Sequence, residues 1–166
     1  MKSRRDLEAK GFKGFCTVND LRTNGLSGIP SVSGVYAVVR ERSPEPMEFL
    51  SCSPAGWFKG KDPTLPVAAL KDRWVEGAEI LYIGKAGGGG SRPDRTLRAR
   101  IAELLSFGAG VPCAHWGGRS VWQIEGSENL LVAWVEATDP VSLERSLIRD
   151  FKDQNNGQRP FANRQG

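Results

Sequence analysis

Apolar residues along this chain gather in short runs separated by glycine, proline and charge. Gly34-Val35-Tyr36-Ala37-Val38-Val39 has no polar interruption, the pattern of a strand covered on both faces. Ile80-Leu81-Tyr82-Ile83-Gly84 repeats it and is ended by glycine, and Leu130-Leu131-Val132-Ala133-Trp134-Val135 is a third such run. Residues 120–124 read as a further short strand. Helical periodicity covers residues 96–107, with Leu97, Ile101, Leu104 and Leu105 on one face. A second helix runs over residues 140–151, started by Pro140 and broken by Asn155-Asn156-Gly157. Shorter helical stretches are predicted over residues 3–10, 18–22 and 66–74. Strands mixed with helices in a chain of 166 residues predict one α+β domain. Residues 1–28 form an N-terminal extension to it, and residues 41–79 are a long, proline-bearing interruption.

No window approaches the ~18 continuous apolar residues of a membrane span, so no membrane association is expected. Residues 1–8 are too charged for a secretory signal. Cys16, Cys52 and Cys113 are widely spaced with no CxxC pair, which argues against a disulfide framework or a zinc site and predicts a cytoplasmic protein. The formal net charge is only +4, but it is unevenly placed. Between Leu81 and Ser120, Lys85, Arg92, Arg95, Arg98, Arg100 and Arg119 face only Asp94 and Glu103, so this stretch alone equals the whole surplus. Arginine predominates there, and its planar fork suits phosphate oxygens. The stretch is either a solvated surface or a phosphate-facing strip.

The helix at residues 140–151 carries one polar residue on its apolar face. At about 100° per residue, Leu147, Phe151, Ile148 and Val141 fall within an arc of about 160° from Leu143, and Glu144 lies inside that arc. A carboxylate turned toward a core requires a partner. It is either half of a buried ion pair or a metal ligand. On the helix at residues 96–107 the same geometry leaves Arg98 and Arg100 flanking the apolar face, and does not choose between them.

Gly34-Val35-Tyr36 on one strand and Tyr82-Ile83-Gly84-Lys85-Ala86 on the next resemble the two halves of the signature of GIY-YIG nucleases. Leu97-Arg98-Ala99-Arg100 resembles that family's arginine-bearing helix, Glu144 stands where the family keeps its metal-binding glutamate, and Pro160-Phe161-Ala162-Asn163 is similar to its asparagine motif. The resemblance spans residues 29–163. It implies a small three-stranded antiparallel sheet flanked by helices, and hydrolysis of DNA phosphodiesters with one Mg²⁺ or Mn²⁺ ion on Glu144. It implies Tyr36, Tyr82, Lys85, Arg100, Glu144 and Asn163 as the catalytic set, assigning the motif arginine to Arg100 and leaving Arg98 on the surface. Arg98, His115 and Arg119 are further candidates for substrate contact. Two departures stand out: residues 41–79 are inserted where the family has a short hairpin, and a tetraglycine precedes the arginine helix. That glycine loop lacks the GxxxxGK[ST] spacing of a nucleotide cradle.

The chemistry suits these residue types. A single inward carboxylate is enough for one hydrated Mg²⁺, whereas two-metal nucleases need clustered acids. A phenol has a reference pKa near 10, so the role of Tyr36 in activating water requires neighbouring cations, Lys85 and Arg100, to lower it. Tyr82 would orient the water or the phosphate. His115 is a structural loop residue, a DNA contact or a proton carrier, and Trp57, Trp116 and Trp122 either stack on bases or fill the core. One site cuts one strand, so a double-strand break would require a dimer or two encounters. The alternative is a nucleic-acid-binding module that keeps the fold without turnover.

Overall fold

A computed structural model describes residues 1–163. Its centre is an antiparallel sheet of β1 (Lys13–Thr17), β2 (Gly34–Val39), β3 (Ile80–Ala86) and β4 (Leu131–Glu136), in the order β1-β4-β2-β3. The class is α+β as expected, but the sheet has four strands rather than three. The added strand, β1, lies at one edge, half exposed, and bulges at Phe15, whose φ is +51°. A bulge breaks the alternation of inward and outward residues, so Lys13-Gly14-Phe15-Cys16-Thr17 carries no strand pattern. Residues 120–124 also depart from expectation. They lie mostly in a 3-10 helix, Trp116–Gln123, and only Ile124 forms a bridge, to Phe49. A short apolar run such as Val121-Trp122 fits a buried helix as well as a strand.

The helices are α1 (Arg4–Ala9), α2 (Val18–Asn24), α3 (Val67–Arg73), α4 (Leu97–Gly108) and α5 (Pro140–Asp153). Thr96 caps α4 by accepting from Ala99 N at 3.3 Å, and Asp139 caps α5 by accepting from Ser142 N at 3.0 Å. The two cores divide by sheet face. Tyr36, Val38 and Tyr82 pack with Leu97, Ile101 and Leu104 of α4 and with Trp122, while Val35, Ala37, Val39 and Ile83 pack with Leu147 and Phe151 of α5 and Leu7 of α1. Strand β2 is covered on both sides, the reason its run is uninterruptedly apolar. No helix among the described residues is long and apolar enough to cross a membrane.

Residues 41–79 fold back onto the α4 face. The buried Gln123 amide donates to the carbonyls of Leu50 at 2.9 Å and Leu65 at 2.8 Å, and its oxygen accepts from Leu65 N at 2.9 Å. Phe49 stacks on Phe161 at 5.6 Å between ring centres and meets Trp74 edge-on. The insertion therefore shares the core of the domain.

Close packing at the start of β2 gives a stability prediction. A Cβ at Gly34 would lie 2.3 Å from the Val135 carbonyl oxygen and 2.7 Å from Leu97 Cδ1. Gly34→Ala is expected to lower stability by about 1–3 kcal/mol, read as a lower urea midpoint; an unchanged midpoint would contradict this contact.

Candidate active site

Tyr36 and Tyr82 reach the site because of one missing side chain. Tyr36 stands opposite Gly84 in the β2–β3 register. A Cβ at position 84 would lie 2.5 Å from both Cζ and Oη of Tyr36 and 2.9 Å from Cε1 of Tyr82. Glycine there lets the Tyr36 ring cross edge strand β3. The two rings are tilted, with centres 6.0 Å apart. The next residue of β3, Lys85, faces the other side of the sheet by alternation, where α5 presents Glu144. Lys85 Nζ donates to Glu144 Oε2 at 3.0 Å.

These side chains meet in a cavity of about 260 Å³ with Arg100 of α4, walled by Gly87, Gly89, Gly90 and Ser91 of the glycine loop and by Arg92 and Arg95. The site therefore draws on both faces of the sheet. Glu144 is an ion-paired cavity residue whose side chain is 19% exposed, so it is neither fully buried nor unpartnered. Arg100 donates to Glu103 Oε2 at 2.8 Å and to the Ala114 carbonyl at 3.1 Å, and Arg95 pairs with the other oxygen of Glu103. Glu103 is the residue that sequence reasoning passed over; its spacing of three from Arg100 on one helix was the available signal. A larger cleft of about 680 Å³, between Arg40, Lys71, Trp74 and Glu79, mixes charges of both signs and brings together none of the candidate residues.

Electrostatically the site differs from the expectation that cations make a soft phenol. Burial pushes Tyr36 well above its ordinary 10, and Tyr82 adds to the rise, while Arg100 offsets only part of it. Tyr82 is raised too, chiefly by burial. Burial opposes the Arg100 charge, but the phenols and Glu103 outweigh it and raise its pKa. His115 is fully buried, with Nε2 3.3 Å from Tyr36 Oη, and burial followed by Arg100 and Arg95 lowers its pKa to about 3. The imidazole is therefore neutral. Its Nδ1 has no hydrogen-bond partner among the described residues.

The remaining candidates lie outside the cavity. The Asn163 side chain accepts from Ile83 N at 2.9 Å and donates to Ile83 O at 2.7 Å, so it holds the backbone of β3 between Tyr82 and Gly84. Arg98 donates to the carbonyls of Ile29 at 2.8 Å and Ser27 at 3.1 Å, fastening the turn before β2. Arg119 is buried, with its guanidinium 4.5 Å above the Trp116 ring. Trp122 is core, Trp116 is half-buried, and Trp57 is exposed.

Among the described residues no group of three or more His, Cys, Asp or Glu side chains is placed to hold a metal ion. The donor set still fits a hydrated Mg²⁺, which commonly takes one or two carboxylates and keeps several waters. Among the described residues only Oε2 of Glu144 is engaged, and its partner, Lys85, sits on a flexible stem that can rotate away.

Two outcomes follow from this electrostatic arrangement. The chain has only 2 tyrosines, so phenolate absorbance near 295 nm reads this cavity alone. Neither is expected to ionise below about pH 10 in the folded protein without divalent ions, and Arg100→Gln should delay ionisation further; phenolate formed below about pH 9 would refute the assignment. His115 is neutral when folded but protonates near 6.5 when unfolded, so the unfolded chain binds the extra proton. Stability should fall as pH drops from about 6.5 toward 4, by up to about 1.4 kcal/mol per pH unit. His115→Gln should flatten that slope in urea titrations. No protein-family model, curated protein or solved structure matches this chain.

Proposed function

We propose that the protein is a metal-dependent DNA endonuclease of the GIY-YIG kind. The observation that carries this reading is the convergence of Tyr36, Tyr82, Lys85, Arg100 and Glu144, from four elements, on one cavity. Lone tyrosines and arginines on sheets and helices pack or solvate independently. Two phenols, four cationic side chains and one carboxylate around about 260 Å³ match the needs of phosphodiester hydrolysis: a held water, cations for phosphate oxygens, and help for the leaving oxygen.

In this mechanism the Arg100 fork and Lys85 neutralise the non-bridging oxygens of the scissile phosphate. Tyr36 Oη holds and activates the attacking water, and Tyr82 orients it or the phosphate. His115 Nε2 lies within hydrogen-bond distance of Tyr36 Oη, at 3.3 Å, and restrains the phenol from the buried side. A phosphate on Arg100 would offset the part of the His115 depression that the arginine causes, while the larger part, from burial, stays. Glu144 would hold the single Mg²⁺ or Mn²⁺, which when bound supplies positive charge at the departing 3′ oxygen and acidifies nearby groups. Asn163 acts by position, keeping Tyr82 and Gly84 in place through Ile83. The free cysteines Cys16, Cys52 and Cys113 suit a reducing cytoplasm.

The test is nicking of supercoiled plasmid. The protein should nick with Mg²⁺ and not with EDTA. Tyr36→Phe and Glu144→Gln should each lose at least about 100-fold in rate while keeping the wild-type circular dichroism spectrum. Tyr36→Phe activity near wild type would remove that residue from the mechanism. Binding of DNA without cleavage under any condition would replace the enzyme with a binding module.

A further inference from the structure

The insertion carries an exposed tryptophan and two exposed lysines around a hairpin that is joined through Trp116 to the segment covering Tyr82. Trp57 is 56% exposed, and Val111, 50% exposed, belongs to the segment that touches the neighbouring Gly56. Tryptophan is enriched at interaction surfaces, where its large ring is covered by a partner. Beyond it the chain reverses over Lys59 and Gly60, whose φ values of +51° and +73° are the left-handed pair of a two-residue hairpin. Phe58 N donates to Lys61 O at 3.2 Å and Lys61 N to Phe58 O at 3.0 Å. The base of the hairpin is fixed as well. Gly56 N donates to Phe107 O at 2.8 Å, and Phe58 lies against Trp116 with ring centres 6.3 Å apart.

The same short segment joins this hairpin to the catalytic phenol. Trp116 touches Phe58, and the two residues after it cover Tyr82: Cβ positions at Gly117 and Gly118 lie 3.7 Å from Tyr82 Oη and 3.4 Å from Tyr82 Cζ. Lys59 and Lys61 are exposed, and Asp62, next in the chain, accepts from Thr64 N at 2.8 Å, so the two lysines outnumber the one carboxylate of this turn. An exposed aromatic plane followed within four residues by two lysines, one with Nζ 5.4 Å from the Phe58 ring centre, offers the chemistry that stacks on a nucleobase and grips its phosphates.

We propose that this hairpin is a wedge that stacks Trp57 on an unpaired base next to the scissile phosphate, so that the preferred DNA contains an unstacked nucleotide. The inference rests on the nuclease reading and adds a substrate class to it. Both faces of a base inside an intact duplex are covered by its neighbours, so only an unpaired or extruded base offers one to Trp57. Lys59 and Lys61 then hold the adjoining backbone.

Fluorescence anisotropy in EDTA tests the wedge, using two labelled duplexes of one sequence, fully paired or carrying a single-nucleotide bulge. Wild type should bind the bulged probe about tenfold more tightly. Trp57→Ala should lose that preference and Trp57→Phe keep most of it. Lys59→Asn, which tolerates the left-handed turn, and Lys61→Gln should weaken both probes alike and each lower the slope of log affinity against log salt by about one. Trp57→Ala that binds the bulged probe as tightly as wild type would overturn the wedge, and plasmid nicking at the wild-type rate by that variant would leave the nuclease reading standing. A wild type that never nicks DNA, yet loses bulge preference with Trp57→Ala, would remove the nuclease and keep the wedge. Absence of DNA binding would remove both.

Discussion

The ring of Tyr36 occupies the space where a side chain at position 84 would stand. Strand β2 is interior to the sheet, and its residues ordinarily see only neighbouring strands and covering helices. Because Gly84 in edge strand β3 contributes no Cβ, the phenol lies across that strand and opens into the cavity at the sheet's rim. The position of Tyr82 beside it, the bond to His115 and the proximity of Arg100 all depend on that crossing. The same contact explains why both phenols are hard to ionise. A ring packed tightly enough to be placed this accurately has lost the water that would stabilise its anion.

The rim also joins the two faces of the sheet. Tyr36 and Tyr82 belong to the α4 face and Lys85 and Glu144 to the α5 side, and they meet only because β3 is an edge strand followed by a loop of small residues. An ion pair, Lys85 with Glu144, and a three-membered cluster, Arg95 and Arg100 with Glu103, border the space. Each holds its cations in a fixed place at the rim.

The inserted residues 41–79 are integrated rather than appended. Gln123 satisfies three backbone groups of the insertion from inside the core, and Phe49 joins Trp74 and Phe161 in one aromatic cluster. This anchorage gives the hairpin at Trp57 a fixed position relative to the segment covering Tyr82. It also places the end of the described chain, Asn163, against β3, so that a residue distant in sequence sets the backbone between Tyr82 and Gly84.

The local pattern of residues was sufficient to determine the elements with strong periodicity. Strands β2, β3 and β4 are unbroken apolar runs, and α4 and α5 carry clear faces and caps, so α+β class and the helical setting of Arg100 and Glu144 follow from short-range pairing and burial alone. Strand β1 was illegible because its bulge and edge position remove alternation, and residues 120–124 were ambiguous because a short apolar run suits either geometry. Only the tertiary structure decided which polar residues meet. Arg98 and Arg100 flank the same helix face, yet one fastens a turn and the other enters the cavity; three tryptophans equivalent by composition become core, half-buried partner and exposed tip. Ionisation was decided there as well. A phenol's pKa depends on the balance of lost water against nearby charge, and that balance is set by atoms brought together from across the chain, which local sequence does not encode.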